Sequence, residues 1–386
     1  MIARALSSKI LDLAQKYPVV IITGPRQSGK TTLIRSLFPD LPYATLEEPD
    51  IRQLALSDPR SFLSNYNNRA ILDEVQRVPD LLSYIQTIVD QQPEAFFVLS
   101  GSQNLLLMDK VSQSLAGRGA VLNLLPFSNV ELFQAGFDFG RYEDLIFQGH
   151  YPRLYDKKLA PGEFYPYYIE MYVERDVRQI KNIGDLNAFS RFLGLCAGRI
   201  GQLVNVSSLA TDAGISVTTA KSWLSVLETS FILYFIQPYF QNFSKRLVKT
   251  PKLYFHDTGL ACSLLGLRSS DELANFYLKG ALFENLVINE LVKGTFNAGM
   301  KRLPWFWRDN HGREVDCVLD KGTKVVPIEI KSGRTITESF FDNLVWWNNL
   351  AGNKTEPGIV VYGGDQSLKL AVGELLSWRH IDTIAL

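Results

Sequence analysis

The feature that most constrains this chain is a glycine-containing loop between an apolar strand and a helix, at residues 24–31. The letters GPRQSGKT fit GxxxxGK[ST] at every fixed position, with VVIIT before them and TTLIRSLF after them. Glycines let backbone N–H groups turn inward around a phosphate, and a helix N-terminus favours an anion. In this setting the motif predicts an ATP-binding loop rather than a chance match in a turn. Its predicted contact residues are Gly24, Pro25, Arg26, Gln27, Ser28, Gly29, Lys30, Thr31 and Thr32.

A second apolar strand, at residues 70–74, ends in the acidic pair Asp73 and Glu74. Behind a phosphate-binding loop, Lys30 would reach the β- and γ-phosphates and the Thr31 hydroxyl would ligate magnesium. Asp73 would hold magnesium through water, and Glu74 would polarise the attacking water. A strand ending in Asp-Glu is weak evidence alone. After such a loop it indicates magnesium-dependent hydrolysis of ATP.

Two further parts of the ATP site have alternatives. The strand FFVLSGS ends near Ser100 and Ser102, and either is a candidate sensor of the γ-phosphate or part of a simple turn. Arg118 in LAGRG is a candidate finger that stabilises transferred charge, in this chain or in a neighbouring subunit. Arg175 in YVERDV is another candidate. Both arginines are equally compatible with an ordinary surface position.

The apolar runs of residues 18–125 alternate with helical stretches, which predicts a parallel sheet covered on both faces. A mostly helical region follows from about 140 to 235, and strands mixed with a long helix follow from about 250. The 386 residues are too many for one domain. We therefore predict an α/β ATPase core at 1–140, a helical region at 141–250 and a second α/β domain at 251–386.

Composition excludes several classes of protein. Lys and Arg number 40, as do Asp and Glu, so any nucleic-acid surface must be a local patch. The cysteines form no CxxC pair, which argues against a disulfide framework or a structural zinc site. Residues 1–18 predict an amphipathic helix rather than a signal peptide. Because no apolar run is long enough to span a bilayer, we expect a cytoplasmic protein without a membrane partner.

Residues 203–230 are typical of a helix-turn-helix. Ser207 or Ser208 would cap the first helix, and Gly214 would make the turn. The second helix, residues 216–228, would bury three apolar residues, which are Ala220, Leu224 and Leu227.

A DNA-reading version of this motif would project polar residues of its second helix into the major groove. These residues are Thr218, Thr219, Lys221 and Ser222. Only one is basic, whereas most DNA readers carry more charge against the phosphates. A basic wing would add Lys245, Arg246, Lys249 and Lys252. Contact with DNA or RNA and packing against protein stay open as alternatives.

Two strand-like runs, residues 313–320 and 324–331, are joined by a Gly-Thr loop that suits a type II′ hairpin. In that hairpin Asp316 faces Glu329, and the Cβ atoms of such a pair lie about 5 Å apart. Lys331 follows on the same face. Two carboxylates and a lysine suit phosphodiester hydrolysis with magnesium or manganese, the lysine orienting the water. The alternative is a solvated Glu–Lys face on an ordinary hairpin.

Together these residues resemble a family of bacterial and archaeal AAA+-type ATPases. The likeness is carried by GPRQSGKTTL, ILDEVQ, LSGSQN and SLAGR in the core, and by GHYPRLY, YVERDV, TAKSWLSVLE, KTPKLYFHDTGL and GALFENLVINE through IEIKSG beyond it. The resemblance implies a P-loop core, a winged-helix region and a restriction-endonuclease-like C-terminal domain related to the PD-(D/E)XK nucleases. It also implies that Glu284 joins Asp316 and Glu329 as a metal ligand, and that homo-oligomers form through the ATPase core.

Three functions fit these features. In the first, ATP turnover gates or moves a metal-dependent nuclease acting on DNA or RNA. In the second, the nucleotide switches an assembly or a partner interaction, and the C-terminal domain is a non-cleaving platform. A phosphotransferase fits less well, because nothing marks an acceptor site and Glu74 suits water activation.

Overall fold

The structure is a computed structural model that describes residues 2–101, 114–177, 185–239, 249–352 and 355–384. The chain divides into two compact units. The first comprises Met1–Phe127, Thr229–Phe231 and Phe296–Met300, and the second comprises Ser128–Glu228, Ile232–Thr295 and Lys301–Leu386. The main segment of the first unit is slightly shorter than the predicted ATPase core. Most of the two regions predicted after residue 140 falls together in the second unit.

A five-stranded parallel sheet forms the centre of the first unit, in the order β2-β3-β4-β1-β5. Its strands are β1 (Val19–Thr23), β2 (Tyr43–Thr45), β3 (Arg69–Asp73), β4 (Phe96–Gly101) and β5 (Gly119–Asn123). The strands are continuous apolar runs because both faces are covered: Val19 and Ile21 pack in one apolar cluster, Val20 and Ile22 in another. The predicted parallel sheet is confirmed.

Helices cover this sheet. Within the described residues of the first unit they are α1 (Ser7–Ala14), α2 (Lys30–Leu37), α3 (Pro49–Ser57), α4 (Pro59–Ser64) and α5 (Leu81–Gln91), with a 3-10 turn at Val75–Arg77. The predicted amphipathic face is seen in α1, where Ile10 and the preceding Leu6 are buried. Pro49 and Pro59 stand at the first helical position, where a missing N–H breaks no intrahelical bond.

The second unit begins with a capping box. Ser128 Oγ accepts a hydrogen bond from Glu131 N at 3.2 Å, and Glu131 Oε2 accepts one from Ser128 N at 2.8 Å. The helices that follow are α6 (Asn129–Gln134), α7 (Tyr142–Gln148), α8 (Pro152–Asp156), α9 (Pro161–Tyr168), a π-helix (Ile169–Val177), α10 (Leu186–Ala197), α11 (Val206–Ala213) and α12 (Val217–Thr229). Among the described helices of the whole chain, none is long and apolar enough to cross a lipid bilayer.

Helices α11 and α12 lie where the helix-turn-helix is predicted. Gly214, with φ of 73°, ends α11 as expected. The predicted cap is wrong: the Asn205 side chain, not Ser207 or Ser208, caps α11 by accepting a hydrogen bond from Ser208 N at 3.0 Å. The three apolar residues predicted to face the core, Ala220, Leu224 and Leu227, are buried.

Strand β6 (Leu233–Ile236) pairs antiparallel with β7 (Lys252–Phe255). The two strands lie on either side of the boundary predicted at residue 250, so the second unit continues across that point. After β7 come α13 (Thr258–Leu264), α14 (Ser270–Ala274) and α15 (Lys279–Asn297). Cys196, Cys262 and Cys317 are buried free thiols, as the sequence predicts.

A six-stranded mixed sheet completes the second unit, in the order β12-β13-β11-β10-β9-β8. Its strands are β8 (Trp305–Arg308), β9 (Glu314–Asp320), β10 (Val325–Lys331), β11 (Ile359–Tyr362), β12 (Leu368–Leu370) and β13 (Gly373–Ser377); the described part also contains α16 (Asp342–Ala351) and 3-10 turns at Glu338–Phe341 and Trp378–Thr383. Gly322, with φ of 84°, turns the β9–β10 hairpin. Val325 pairs with Asp320 and Ile328 with Cys317, the predicted register in which Asp316 faces Glu329.

Candidate functional site

The phosphate-binding loop has the backbone that its glycines allow. Gly29 has φ of 90° and directly precedes α2, so the N–H groups of the first helical turn face the loop. Gly24 has φ of 150°, and a Cβ there would lie 2.2 Å from the carbonyl oxygen of Leu124. The exposed Gln27 also has a positive φ, 61°. The loop is therefore a tight turn against the end of β5 that ends in a helix N-terminus.

Lys30 points back into this loop. Its Nζ donates hydrogen bonds to the carbonyl oxygens of Gly24 at 3.0 Å and Pro25 at 2.8 Å. The residue is 7 % exposed, and burial lowers the pKa of Lys30 to about 8, against the opposing effect of Glu74 and Asp73. The ammonium group thus lies within the turn where an anion would be cradled. Within the described ranges the buried Ser28 hydroxyl there has no hydrogen-bond partner, so the loop fits a bound phosphate group.

Asp73 is the centre of the site. Its Oδ2 accepts hydrogen bonds from the Thr31 hydroxyl at 2.7 Å and the Tyr43 hydroxyl at 2.9 Å. The hydroxyl of the buried Ser100 donates to Oδ1. The predicted pair Thr31 and Asp73 is therefore adjacent, a donor set that fits hydrated magnesium beside a nucleotide. Sequence reasoning missed Tyr43, since a tyrosine opening a three-residue strand carries no distinguishing signal.

Glu74 follows β3 in the left-handed backbone region, with φ of 57°. Burial and the neighbouring Asp73 carboxylate raise the pKa of the Glu74 carboxyl. Gln76 Nε2 donates a hydrogen bond to Glu74 Oε2. This turn keeps Glu74 beside Asp73, whose Oδ1 accepts a hydrogen bond from Glu74 N at 3.1 Å; its role toward water stays a prediction.

Arg118 is not part of the ATP site of its own chain. Because β1 and β5 are parallel, with Val19 opposite Gly119 and Thr23 opposite Asn123, Arg118 lies at the sheet edge opposite the phosphate loop. Arg118 precedes Asn123 by five residues, so the two ends are roughly 17 Å apart at about 3.3 Å per residue. Its Nε and Nη2 instead contact the Asp90 carboxylate at 2.5 and 2.8 Å. A role in a neighbouring subunit stays a prediction.

Several predicted residues lie outside the described part of the chain. They are Ser102, Lys245, Arg246 and the side chain of Arg175. Of the two candidate sensors, Ser100 is therefore the one whose contact with Asp73 is seen. Thr32 is exposed on α2, and Arg26 is half-buried in the loop.

Arg4 links the phosphate loop to the segment that follows β5. Its Nη1 donates to the carbonyl oxygen of Ser28 at 2.8 Å and its Nη2 to that of Leu125 at 2.5 Å. The guanidinium also lies 4.7 Å from the centre of the Phe127 ring. Sequence analysis did not find this residue, because it stands next to an amphipathic helix far from the motif.

The side chains of Asp316, Glu329 and Lys331 lie close together in the second unit, as the hairpin register predicts. Lys331 Nζ lies 2.6 Å from Glu329 Oε2, which also accepts a hydrogen bond from Asn343 Nδ2 at 3.2 Å. Asp316 Oδ2 accepts one from Ile330 N at 2.8 Å. Burial and then the Asp316 carboxylate raise the pKa of the Glu329 carboxyl. Glu329 is fully buried, and its Oε1 has no hydrogen-bond partner among the residues that the structure describes.

Glu284 corrects the prediction for this group. Its Oε1 lies 2.9 Å from Lys252 Nζ and accepts a hydrogen bond from the Tyr254 hydroxyl at 2.5 Å. In the described ranges, no three Asp, Glu, His or Cys side chains are placed to hold a metal ion together. Glu284 thus has a lysine and a tyrosine as its direct partners, and it lies near Asp316. The residues that fit a cation are Asp316 and Glu329, because of the partnerless Glu329 oxygen.

The predicted basic wing is also partly wrong. Lys252 is only 2 % exposed and lies inside the second unit. Lys249 is exposed, as are Thr218 and Lys221 on α12, whereas Thr219 and Ser222 are half-buried. The polar face of α12 is therefore open to a partner, with Lys221 as its one basic residue among the residues predicted to enter the groove.

The motifs GHYPRLY and FHDTGL meet in a buried network of the second unit. Asp257 accepts hydrogen bonds from His150 N at 2.7 Å, Tyr165 Oη at 2.7 Å and Leu260 N at 2.8 Å. His150 Nε2 lies 2.9 Å from Asn129 Oδ1. These contacts join the helices α6, α9 and α13, so we assign the two motifs to the structure of the unit.

Three family profiles match the sequence in succession. One described as AAA domain matches residues 16–133. Two described as domains of unknown function, DUF8612 and DUF4143, match residues 140–271 and 279–381. Uncharacterised proteins of Mycobacterium tuberculosis and Mycobacterium bovis are each 30% identical over 342 residues, which cover 87% of this chain and 75% of the relative.

Among solved structures, the Walker-type ATPase of Pyrococcus abyssi is similar with a TM-score of 0.46 and 15% identity, covering 68% of this chain and 96% of that one. A signal-transduction ATPase with a tetratricopeptide repeat sensor from Pyrococcus horikoshii has a TM-score of 0.27 and 10% identity, covering 78% of this chain and 48% of that one. Both scores are low, so the sequence matches carry the assignment.

Proposed function

The chain belongs to the family of AAA-domain P-loop ATPases that includes these mycobacterial relatives, and we propose that it couples ATP hydrolysis in its first unit to cleavage of nucleic acid in its second. The AAA match over residues 16–133 covers the phosphate loop and Asp73. The geometry of Thr31 and Asp73 supports magnesium use, since their oxygens lie 2.7 Å apart. The first half of the proposal is therefore magnesium-dependent hydrolysis of ATP in the first unit.

In the ATP site each side chain has a distinct task. The loop N–H groups and Lys30 bind the phosphates, and Thr31 and Asp73 hold the hydrated magnesium that neutralises phosphate charge. Glu74 orients and polarises the attacking water. Ser100 and Tyr43 hold the Asp73 carboxylate in one orientation through their hydrogen bonds. When ATP enters, Lys30 exchanges its two loop carbonyls for phosphate oxygens.

The observation that carries the nuclease half is the buried, partnerless Oε1 of Glu329 beside Asp316. A buried carboxylate oxygen without a donor is costly unless a cation or proton satisfies it. Asp316 and Glu329 would hold magnesium or manganese, which acidifies a bound water. Lys331, 30% exposed at its side chain, is placed to orient that water toward a phosphodiester. This supports a nuclease-like site of the PD-(D/E)XK kind.

Helices α11 and α12 supply a surface for the nucleic acid. The exposed Thr218 and Lys221 on α12 and Lys249 before β7 are suited to groove and backbone contacts. The β6–β7 hairpin would be the wing of a winged helix. Charge along this surface is low, so binding would fall only modestly with salt compared with strongly basic DNA readers.

The test is cleavage of labelled single- and double-stranded DNA and RNA with magnesium or manganese, with and without ATP. We expect Asp316→Asn to reduce cleavage by at least about 100-fold, as for a lost catalytic group. Asp320→Asn is the matched control on the same strand; it keeps an acceptor for Gly322 N and should retain activity. Absence of cleavage by the wild type in every nucleotide state would refute the nuclease half.

A second candidate is a regulatory ATP switch with a non-cleaving second unit. It is favoured by the zero net charge and by the lysine partners that Glu284 and Glu329 already have. Here ATP would change the state of a homo-oligomer built through the first unit, with Arg118 reaching a neighbour's nucleotide. Light scattering with and without ATP tests this. An oligomeric state that is identical in wild type and Lys30→Ala would count against the switch.

A further inference from the structure

Lys252 is a buried lysine that contacts two carboxylates beside the pair of Asp316 and Glu329. It opens β7, and its side chain is 3% exposed. Its Nζ lies 2.9 Å from Glu284 Oε1 and 2.5 Å from Glu314 Oε1. A lysine in contact with two carboxylates keeps its charge, and Lys252 joins carboxylates that come from α15 and β9.

These contacts occupy one oxygen of Glu284 and both oxygens of Glu314, which a second metal ion would otherwise use. Glu284 Oε1 already has two donors, Lys252 and Tyr254. Its Oε2 faces Gly201, where an added Cβ would lie 3.3 Å away. Glu314 is held on its other oxygen by Arg308 at 2.9 Å. In the described part of the chain Glu329 Oε1 has no hydrogen-bond partner, so a cation fits at the neighbouring pair of Asp316 and Glu329.

Charge balance points the same way. The group contains four carboxylates and three basic side chains, which are Glu284, Glu314, Asp316, Glu329, Lys252, Lys331 and Arg308. With all of them charged, the group carries one negative charge. One divalent cation would change this to one positive charge, and a second would leave three positive charges in a largely buried place. Uncompensated buried charge is strongly unfavourable.

We propose that Lys252 is a built-in cation that takes the place of a second divalent ion, so that the C-terminal site binds a single magnesium or manganese ion. The inference rests on the proposed metal site at Asp316 and Glu329. It adds that Glu284 and Glu314 are withheld from metal by Lys252. Lys252 does not touch substrate in this account; it sets the number of ions that the site accepts.

The experiment counts Mn²⁺ bound to the nucleotide-free full chain by electron paramagnetic resonance of the free ion. The count for the C-terminal site is the difference between wild type and Asp316→Asn. We expect about one ion, and the same count for Lys252→Arg, which keeps the charge. Removing the charge in Lys252→Met frees Glu284 and Glu314, and the count should rise from about one to about two.

The possible counts distinguish failure of the proposed role of Lys252 from failure of the proposed metal site. A wild-type count of two, or a folded Lys252→Met protein that still binds one, overturns the role of Lys252 and leaves the proposed function standing. A difference of zero between wild type and Asp316→Asn removes the metal site itself, and with it both proposals. If Lys252→Met does not fold, the double variant Lys252→Met/Glu284→Gln, which removes both charges of the pair, should bind one ion; two ions in it would contradict the inference.

Discussion

The Thr31 hydroxyl donates a 2.7 Å hydrogen bond to Oδ2 of Asp73, joining the end of the phosphate loop to the end of β3. These two residues are 42 positions apart, and the parallel pairing of β1, β4 and β3 brings their strand ends to one edge of the sheet. The same Asp73 oxygen accepts the Tyr43 hydroxyl at 2.9 Å. The hydrogen bonds around Asp73 thus join three elements, α2, β2 and β3.

Tyr43→Phe should weaken the use of magnesium without abolishing ATP binding. Burial and the Asp73 carboxylate raise the pKa of Tyr43 to about 12, so its hydroxyl keeps its proton and donates at neutral pH. Losing a hydrogen bond to a charged group costs about 1.5–3 kcal/mol. We expect the magnesium concentration for half-maximal hydrolysis to rise about tenfold or more. Tyr66→Phe, which removes a hydroxyl from the same unit, is the control and should leave that concentration unchanged.

Gly24→Ala should abolish nucleotide binding. An added Cβ would lie 2.2 Å from the Leu124 carbonyl oxygen, at a backbone φ of 150° that L-residues rarely adopt. The loop must therefore move away from β5. Gly117→Ala is the matched control, because its φ of 76° is also positive but no atom of the described residues lies within 4 Å of the new atom. It should lose roughly 1 kcal/mol of stability and keep its ATP affinity, measured with a fluorescent nucleotide. Equal affinities in the two variants would contradict the assigned loop geometry.

Glu74→Gln should separate binding from hydrolysis. The amide keeps the size of the side chain but cannot polarise water, so we expect phosphate release to fall by about 10²–10⁴-fold. ATP affinity should stay within a few-fold of wild type, whereas Lys30→Ala loses it. Glu47→Gln, an exposed carboxylate of the same unit, serves as control. Hydrolysis at the wild-type rate in Glu74→Gln would assign the role of base to another residue.

Local patterns were sufficient for much of this molecule. Strands β1, β3 and β4 of the first unit are largely apolar runs, and the glycines of GPRQSGKT allow its turn, so both follow from short stretches of sequence. The hairpin register also follows from a local signal, because the Gly322 turn fixes which residues of β9 and β10 are opposite each other. Asp316, Glu329 and Lys331 could therefore be placed together in advance.

What sequence reasoning missed depends on long-range packing. The sequence predicts Lys252 in an exposed wing, whereas the pairing of β7 with β6 and the contact with Glu284 of α15 bury it. The turn before Arg118 suggests an arginine that reaches a nucleotide. The parallel pairing of β5 with β1 instead places Arg118 at the end of the sheet opposite the phosphate loop. The Asn205 cap was missed because two serines nearby are equally good caps.

Acid should destabilise the second unit through its buried histidines. Burial lowers the pKa of His256 to about 3, and it also lowers the pKa of His150. Between about pH 6.5 and pH 3 the unfolded chain therefore binds a proton at His256 that the folded chain does not, so stability falls as pH falls. The slope is about 1.4 kcal/mol per pH unit for each such residue.

His256→Phe keeps the ring that packs 4.5 Å from the Tyr234 ring centre but removes this titration. The free energy of unfolding, measured in urea at several pH values, should depend less steeply on pH in this variant by about 1.4 kcal/mol per unit. The exposed His311 offers the control: His311→Gln should leave the wild-type slope unchanged. A His256→Phe slope equal to that of wild type would show that His256 is protonated in the folded chain.

The central claim is that ATP turnover in the first unit controls phosphodiester cleavage by Asp316 and Glu329 in the second. The most direct measurement is the initial rate of cleavage of labelled DNA and RNA, with and without ATP, in wild type, Lys30→Ala and Asp316→Asn. We predict that ATP changes the wild-type rate several-fold, that it has no effect on Lys30→Ala, and that Asp316→Asn does not cleave. Wild-type cleavage that persists in Asp316→Asn, or that is indifferent to ATP, would contradict the account.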